Sequence, residues 1–409
     1  MMSTSTPKDN IKIVLLEGIH PSAETLFRKD GYNNIFTASK SLPKDDLEAV
    51  LKDAHFLGIR SRTQVTDSLL EKSPKLVAIG CFCIGTNQVD LTAATKKGIP
   101  VFNAPFANTR SVAELVIAEI VLLLRGVPAK SAAAHRGEWH KSAANSFETR
   151  GKTLGIVGYG HIGTQTGILA ESLGMNVQFY DIEKQLSLGN ATPVDSYQQL
   201  LKTSDVVTFH VPETPQTKNL MDKKSFEILK DGAILINASR GTVVDIEELA
   251  KALESGKVLG AAIDVFPEEP KSNQEEFVSI LREYDNAILT PHIGGSTKEA
   301  QVNIGIEVAE KLVKYSNNGS TLSSVNFPEV GLPALIGKHR ICHIHQNEPG
   351  ILAKINDIFS DTGVNISAQY LQTNEHIGYV VTDIDDISSQ QAFGELKQIQ
   401  GTVRSRILY

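Results

Sequence analysis

The chain has 409 residues, enough for roughly two to four domains, and its apolar content of 41% is ordinary for a globular protein. Its net charge of −7 argues against a surface for nucleic acid or an anionic membrane, and apolar runs such as residues 121–124 are too short to span a bilayer. Three cysteines do not make a disulfide framework, and an odd count suits a reducing compartment, so we expect a cytoplasmic protein.

Strands and helices alternate through the first hundred residues. Short apolar runs such as Ile11–Leu16, Phe56–Ile59 and Leu76–Gly80 predict strands, and the segments between them predict helices. This alternation predicts a parallel, doubly wound sheet. Arg60, Ser61 and Arg62 directly follow one predicted strand end.

A long apolar segment follows this first sheet. Residues 108–111, which begin with Asn108, can cap a helix over 112–125 that is apolar on nearly every side. We expect this helix to be buried between domains or against another subunit. The next segment, 131–150, is polar and contains Lys141 beside the only tryptophan, Trp139.

Residues 154–181 have the order strand, glycine turn, helix, strand and acid that is typical of a dinucleotide-binding βαβ unit. Gly158 permits the tight turn, Gly160 lets a pyrophosphate approach the backbone, and Gly163 brings the helix close to the strand. Asp181 is expected to bind the adenosine ribose and to disfavour the extra phosphate of NADP. The sequence therefore predicts an NAD site, with unpaired N–H groups of the helix N-terminus facing the phosphates.

The helix of this unit is expected to bury an apolar face. Its members by helical spacing are Ile162, Ile168, Leu169 and Leu173.

Further strands after Asp181 complete a second parallel sheet, and each leads to a residue with useful chemistry. Because ligands of open α/β sheets bind beyond the carboxyl ends of the strands, His210, Arg240, Asp264 and His292 are candidate site residues. A helix over 299–315 and a Gly/Ser/Pro-rich linker over 316–337 follow. The last 70 or so residues show the strand and helix order βαββαβ of a ferredoxin-like module.

Four motifs together resemble the D-2-hydroxyacid dehydrogenase family: GYGHIG, NASRGT at 237–242, AIDVFPEEP at 262–270 and TPHIGGS at 290–296. With the C-terminal module and the segment TLSSVNFP at 321–328, the chain is similar to the bacterial branch that acts on 3-phosphoglycerate and carries an ACT regulatory domain. The resemblance implies three domains: a substrate domain of 1–107 and 296–336, an NAD-binding Rossmann domain of 108–295, and an ACT domain of 337–409.

The resemblance extends to a catalytic set of three residues. His292 is the candidate base, because imidazole titrates near neutrality, and Glu269 would hold its second ring nitrogen. Arg240 offers a planar fork that grips a carboxylate with two hydrogen bonds. Each of these residues could instead be structural or solvated, but jointly, and at strand ends, the catalytic interpretation is favoured.

The predicted ligand contacts are larger sets. NAD is expected to bind Gly158, Gly160, His161, Ile162, Gly163, Asp181, His210, Ala238, Ser239, Arg240, Asp264, His292, Ile293, Gly294 and Gly295. The phosphorylated substrate is expected to bind Arg60, Ser61, Arg62, Asn108, Lys141 and Arg240. No metal is expected, because His343 and His345 have no third ligand nearby at a usual spacing.

The resemblance implies NAD-dependent oxidation of 3-phosphoglycerate to 3-phosphohydroxypyruvate, at the start of serine synthesis. It also implies a homotetramer inhibited by L-serine, bound between two ACT copies by His345, Asn347 and Asn365. In the alternative interpretation, those three are cap and turn residues. Two functional alternatives remain: a dehydrogenase of another 2-hydroxy acid, such as 2-hydroxyglutarate, and a non-catalytic NAD-sensing regulator.

Overall fold

A computed structural model describes residues 6–270, 274–335, 339–385 and 389–408. Contacts divide the chain into two units, one of residues up to Ala107 and from Gln301 onward, the other of Asn108–Ala300. Because this division groups the first and last modules, the three predicted domain bounds stay a prediction. In the part of the chain that is described, no helix has the length and apolarity needed to cross a membrane.

The first unit begins with a five-stranded parallel sheet whose strand order is β2-β1-β3-β4-β5. Its strands are β1 (Ile13–Leu15), β2 (Ile35–Thr37), β3 (Phe56–Ile59), β4 (Ala78–Cys81) and β5 (Val101–Asn103). Its helices are α1 (Pro21–Lys29), α2 (Lys44–Leu51), α3 (Asp67–Glu71) and α4 (Leu91–Lys96). Every strand pair is parallel, as the alternation of strand and helix requires.

The second unit contains a seven-stranded parallel sheet in the order β12-β11-β10-β9-β6-β7-β8. Its helices are α5 (Thr109–Leu124), α6 (Val127–His135), α7 (His161–Ser172), α8 (Tyr197–Thr203), α9 (Lys223–Ile228) and α10 (Ile246–Glu254). Its strands are β6 (Thr153–Val157), β7 (Asn176–Tyr180), β8 (Thr192–Pro193), β9 (Val206–Phe209), β10 (Ala233–Asn237), β11 (Val258–Ile263) and β12 (Ala287–Leu289). From β6 the chain adds β7 and β8 on one side of the sheet, and then adds β9 to β12 on the other side. Ligands of such sheets bind where the strand order changes direction, between β6 and β9.

Helix α5 differs from its prediction in two ways. It begins at Thr109, so residues 109–111 lie inside it, and Asn108 occupies the N-cap position without a capping hydrogen bond from its side chain. Only one side is buried within the chain, while Val121 and Leu122 on the other side are exposed. One chain alone therefore buries only part of this helix, and burial of its other side against another subunit stays a prediction.

Helix α7 also buries a different face from the one predicted. Ile168 and Leu173 are exposed, and the buried residues are Gly163, Thr166, Gly167 and Ala170. Small side chains let the helix lie close to β6 and β7, and of the predicted face Ile162 does pack against the core of this sheet. The helical period was predicted correctly, but the buried face was not.

The first unit ends with α11 (Lys298–Asn318), which packs on the first sheet, and an antiparallel sheet of order β14-β15-β13-β16. Its elements are β13 (His339–Gln346), α12 (Ile351–Asp361), β14 (Ile366–Thr373), β15 (Ile377–Ile384), α13 (Ser389–Leu396) and β16 (Thr402–Leu408). This βαββαβ order confirms the predicted fold class, two parallel doubly wound sheets followed by a ferredoxin-like module.

Candidate active site

Arg240 lies three residues beyond the end of β10, in a turn that Asn237 holds. The Asn237 amide nitrogen donates to the Arg240 carbonyl at 2.9 Å, and its side-chain oxygen accepts from the Ser239 amide and hydroxyl at 3.1 and 2.8 Å. The Arg240 Nη1 donates to the Ser239 carbonyl at 2.7 Å. One arm of the guanidinium is therefore anchored, which leaves Nη2 and Nε to meet a ligand.

His292 and Glu269 form the predicted pair. The His292 Nδ1 lies 3.0 Å from the Glu269 Oε2, and the Glu269 Oε1 accepts from the backbone amide of Phe266 at 3.1 Å. The backbone φ of His292 is 53°, in the left-handed region, which is uncommon for a residue with a side chain. Such conformations persist where the surroundings enforce them, and they cluster at functional sites.

Electrostatics tie Arg240, Glu269 and His292 together. The hydrogen bond that Glu269 accepts from the ring raises the pKa of His292 against the opposing effect of burial. Burial would raise the pKa of Glu269, but the hydrogen bond with His292 and the charge of that ring, helped by the Phe266 amide and the charge of Arg240, lower that pKa. Arg240 also lowers the pKa of His292. The structure therefore brings all three predicted catalytic residues into one electrostatic group.

Asp264, a predicted cofactor residue, holds the loop that carries His292. The carboxylate is buried; its Oδ1 accepts from the Thr290 hydroxyl at 2.6 Å and the Ile293 amide at 2.8 Å, and its Oδ2 accepts from the Gly294 amide at 2.8 Å. The His292 amide also donates to the Asp264 carbonyl at 2.8 Å. Oδ2 keeps room for one further donor, so a contact with the cofactor stays a prediction.

The glycine turn between β6 and α7 fits a dinucleotide. Gly158 has φ 90°, and a Cβ there would lie 2.4 Å from the His210 carbonyl oxygen. A Cβ on Gly163 would lie 2.2 Å from the Gly158 carbonyl oxygen. Gly160, by contrast, would meet no described atom within 4 Å, so the turn is open where a pyrophosphate must approach.

The residues around this turn are arranged as a nucleotide site requires. Asp181 follows β7, and its two carboxylate oxygens accept from the Tyr159 and Glu183 amides at 2.8 and 3.0 Å, which fixes the acid beside the turn. His161 and Ile162 begin α7, whose N-terminus has no side-chain cap. The dipole of a helix N-terminus favours an anion.

The other predicted contacts lie at neighbouring strand ends. His210 bonds to the Thr208 hydroxyl at 3.1 Å, and burial lowers the pKa of His210 to about 3, so its ring is neutral. Asn108 is buried close to Gly295, where an added Cβ would lie 2.1 Å from the Asn108 Nδ2. Ala238 follows β10, whereas Lys141 is exposed in the segment beyond α6. The ligand contacts predicted for these residues stay predictions.

The predicted substrate cations of the first unit follow β3. Arg60 is half-buried, and Ser61 and Arg62 are exposed. Among the described residues, neither arginine side chain has an ion pair with an acid. Both guanidinium groups are therefore available to an anion.

Within one chain, the predicted effector residues do not come together. His345 pairs with Gly378 across the sheet, whereas Asn365 directly precedes a residue that pairs with Ile384. These two positions on β15 are six residues apart, or about 20 Å along the strand. Asn347 lies at the His345 end, where it donates to the Asn374 carbonyl at 2.8 Å. A ligand that meets all three residues therefore needs two copies of the module.

His345 and His343 are both buried on one face of β13. The His345 Nδ1 lies 2.7 Å from the carbonyl of the next residue, and its Nε2 has no partner among the described residues. Burial, together with His345, lowers the pKa of His343 to about 4, so this ring is neutral. No three His, Cys, Asp or Glu side chains of the described chain are grouped as a metal site would require.

Glu119 was not among the predicted site residues, although it lies in the helix that was expected to be buried. This residue of α5 is 2% exposed, and neither carboxylate oxygen has a hydrogen-bond partner among the described residues. Burial, reinforced by the charge of Asp264, raises the pKa of Glu119 to about 8, so it is mostly protonated at neutral pH. Which residues of an apolar helix are buried depends on how the helix packs, and the sequence alone does not show this.

Comparisons with known proteins agree with this architecture. Residues 117–294 match the model of the D-isomer specific 2-hydroxyacid dehydrogenase NAD binding domain, and residues 341–404 match an ACT domain like that of the AHAS small subunit. The chain is 62% identical over 405 residues to D-3-phosphoglycerate dehydrogenase of Haemophilus influenzae, covering 99% of each chain. It is 61% identical over 411 residues to the Escherichia coli protein of the same name, covering 100% of both.

Among solved structures, D-lactate dehydrogenase from Aquifex aeolicus, complexed with NAD and lactic acid, is similar. The two chains share 27% identity with a TM-score of 0.64, over 74% of this chain and 95% of that one. This structure supports the NAD site. The unmatched part of the present chain is long enough for one further module.

Proposed function

The chain belongs to the D-3-phosphoglycerate dehydrogenase family of D-isomer specific 2-hydroxyacid dehydrogenases, and from this premise we propose that it oxidises 3-phospho-D-glycerate to 3-phosphohydroxypyruvate. It is an NAD-dependent enzyme. The observation that carries the proposal is the hydrogen bond between His292 and Glu269, beside the half-free fork of Arg240. The reaction is the first step of L-serine biosynthesis.

The chemistry follows from which atoms are already engaged. Bound NAD supplies the acceptor for the hydrogen and electron pair that leave C2 of the substrate. Because His292 Nδ1 faces Glu269, Nε2 is the ring atom that takes the hydroxyl proton. The Glu269 carboxylate stabilises the imidazolium that forms, and the Arg240 guanidinium holds the substrate carboxylate with its two remaining nitrogens, Nη2 and Nε.

The phosphate is assigned to Arg60 and Arg62, because their guanidinium groups lack an acid in the described chain. Arginine forks suit the geometry of phosphate oxygens. Ser61, Asn108 and Lys141 complete the proposed substrate set, of which Lys141 is an exposed cation. Asp181 is assigned to the adenosine ribose, and its charge disfavours NADP.

Regulation is assigned to the C-terminal module. We propose that L-serine binds between two modules through His345 and Asn347 of one copy and Asn365 of the other, since these residues lie at opposite ends of one sheet. Two such pairs of modules, joined by further contacts through the nucleotide domains, would give a homotetramer. Feedback by a pathway product also fits a protein that acts in the cytoplasm.

The competing functions differ in measurable ways. A nucleotide-sensing regulator would bind NADH without turnover, and a dehydrogenase of another acid would prefer an unphosphorylated substrate. We expect 3-phosphoglycerate to give a higher kcat/KM than glycerate, lactate or 2-hydroxyglutarate in an NADH absorbance assay. A higher kcat/KM for any unphosphorylated acid would refute the substrate assignment, and absence of turnover with every acid would refute the enzyme assignment.

A further inference from the structure

An acid that follows β1 forms hydrogen bonds with the loop that carries Arg60 and Arg62. Glu17 follows β1, and its carboxylate oxygens accept from the backbone amides of Arg62 and Thr63 at 3.0 and 2.7 Å. The Glu17 side chain is thus directed to two N–H groups of the loop rather than to a guanidinium. Hydrogen bonds of this charge-assisted kind are roughly twice as strong as neutral ones.

The conformation of Glu17 shows that this arrangement is enforced. The residue is 8% exposed and has φ 64°, in the left-handed region that a residue with a Cβ seldom adopts. Its own amide donates to the Lys40 carbonyl at 3.3 Å. A buried carboxylate in a strained backbone costs stability, and such strain is found chiefly at functional sites.

A second buried side chain fixes the other end of the same loop. Gln88 is 3% exposed, and its Nε2 donates to the Arg60 carbonyl at 2.5 Å and to the Gly85 carbonyl at 3.3 Å. Glu17 therefore fixes the loop through its N–H groups, and Gln88 fixes it through a carbonyl. The backbone of residues 60–63 is held from two sides, while both arginine side chains stay free of acids among the described residues.

We propose that Glu17 is a positioning residue for the phosphate of the substrate, acting through the loop and without contact to the ligand. This inference rests on the proposed function, because it needs Arg60 and Arg62 to bind that phosphate. Its logic is preorganisation: a loop already held in place loses less conformational entropy when the anion binds. A carboxylate serves better than an amide, because it can accept at both oxygens.

The test is Glu17→Gln, which keeps the size of the side chain but turns an NH₂ donor toward one of the two N–H donors. We expect KM for 3-phosphoglycerate to rise about tenfold or more, which corresponds to the loss of one charge-assisted hydrogen bond, with kcat and NADH affinity nearly unchanged. Gln88→Leu, which releases the other side of the loop, should raise KM in the same way. Glu24→Gln changes a half-buried acid on α1 that pairs with Arg28; it is the matched control and should match the wild type.

A double-mutant cycle separates positioning from general destabilisation. In a background of Arg60→Ala and Arg62→Ala, Glu17→Gln should raise KM little further, because the groups that it positions are gone. Equal effects in both backgrounds would overturn the positioning role, as would an unchanged KM in Glu17→Gln while the arginine variants raise it. If the arginine variants themselves leave KM unchanged, the phosphate assignment fails together with the inference.

Discussion

His292 and Glu269 share one hydrogen bond, and that bond raises the pKa of the base. Oxidation needs the neutral imidazole, so the acid limb of the pH profile should follow the pKa of His292. We predict that Glu269→Gln moves this limb to lower pH and lowers kcat, because the ring loses both its charge partner and its orientation. The measurement is kcat/KM against pH.

A matched control exists for this change. Glu138 forms an exposed pair with His140, at 2.8 Å, so Glu138→Gln removes the same kind of bond and leaves the pair of His292 and Glu269 intact. That variant should keep the wild-type profile. If the acid limb of Glu269→Gln also stays in place, His292 is not the group that titrates.

Glu119 predicts a pH dependence of stability. Its pKa in the folded protein, about 8, exceeds the ordinary value of 4.5, so folding favours the protonated form. This contribution is fully present below the ordinary pKa and is lost as pH rises toward 8, on the order of a few kcal/mol. Glu119→Gln cannot ionise, so its unfolding midpoint temperature should fall less than that of the wild type between pH 5.5 and 8.

The control for this experiment lies on the same helix. Glu114 is exposed and paired with Arg110, so Glu114→Gln should leave the pH dependence of the midpoint as it is in the wild type. Parallel midpoint curves for Glu119→Gln and the wild type would show that Glu119 is already ionised in the folded protein.

At the scale of elements, two glycines near the turn between β6 and α7 have different roles: Gly163 is needed for packing and Gly160 for binding. An alanine Cβ at Gly160 meets no described atom within 4 Å, whereas one at Gly163 would lie 2.2 Å from a backbone oxygen. We predict that Gly160→Ala keeps the unfolding midpoint but weakens NADH binding, because the methyl group occupies the space of the pyrophosphate. Gly163→Ala should lower the midpoint. Thermal scans and NADH fluorescence distinguish the two, and an equal loss of stability would contradict this division.

The sequence predicted elements better than faces. Strand runs and glycine turns depend on local chemistry, so β3 has the bounds that the sequence predicts. The buried face of α7 was wrong, because small residues outcompete Ile168 and Leu173 where a helix must lie close to a sheet. Helix α6 was not predicted, because it overlaps the polar segment 131–150.

The candidate site shows the same limit. Strand ends indicated Arg240, Asp264 and His292, since parallel strands place their carboxyl ends at one edge. The partners of Asp264 lie 26 to 30 residues further along the chain, and those of Glu17 lie 45 and 46 residues away. Sequence periodicity carries no information about such pairs, so the holding role of both acids became visible only in the structure.

At the scale of the whole molecule, the separation of His345 from Asn365 constrains regulation. Because they lie about 20 Å apart along one sheet, a side-by-side pair of modules with twofold symmetry would form two equivalent sites. Each site would take His345 from one copy and Asn365 from the other. A serine bound there can inhibit only by favouring one arrangement of the oligomer over another.

This geometry predicts complementation between two inactive effector sites. His345→Ala and Asn365→Ala should each give an active enzyme that L-serine does not inhibit. In a hybrid of the two variants, one site of each pair combines both substitutions, but the other combines an intact His345 with an intact Asn365. Serine inhibition should therefore return in hybrids, with about half of the wild-type binding sites by calorimetry. Hybrids that stay insensitive, while tagged purification confirms mixed oligomers, would place both residues in a site within one chain or outside the effector site altogether.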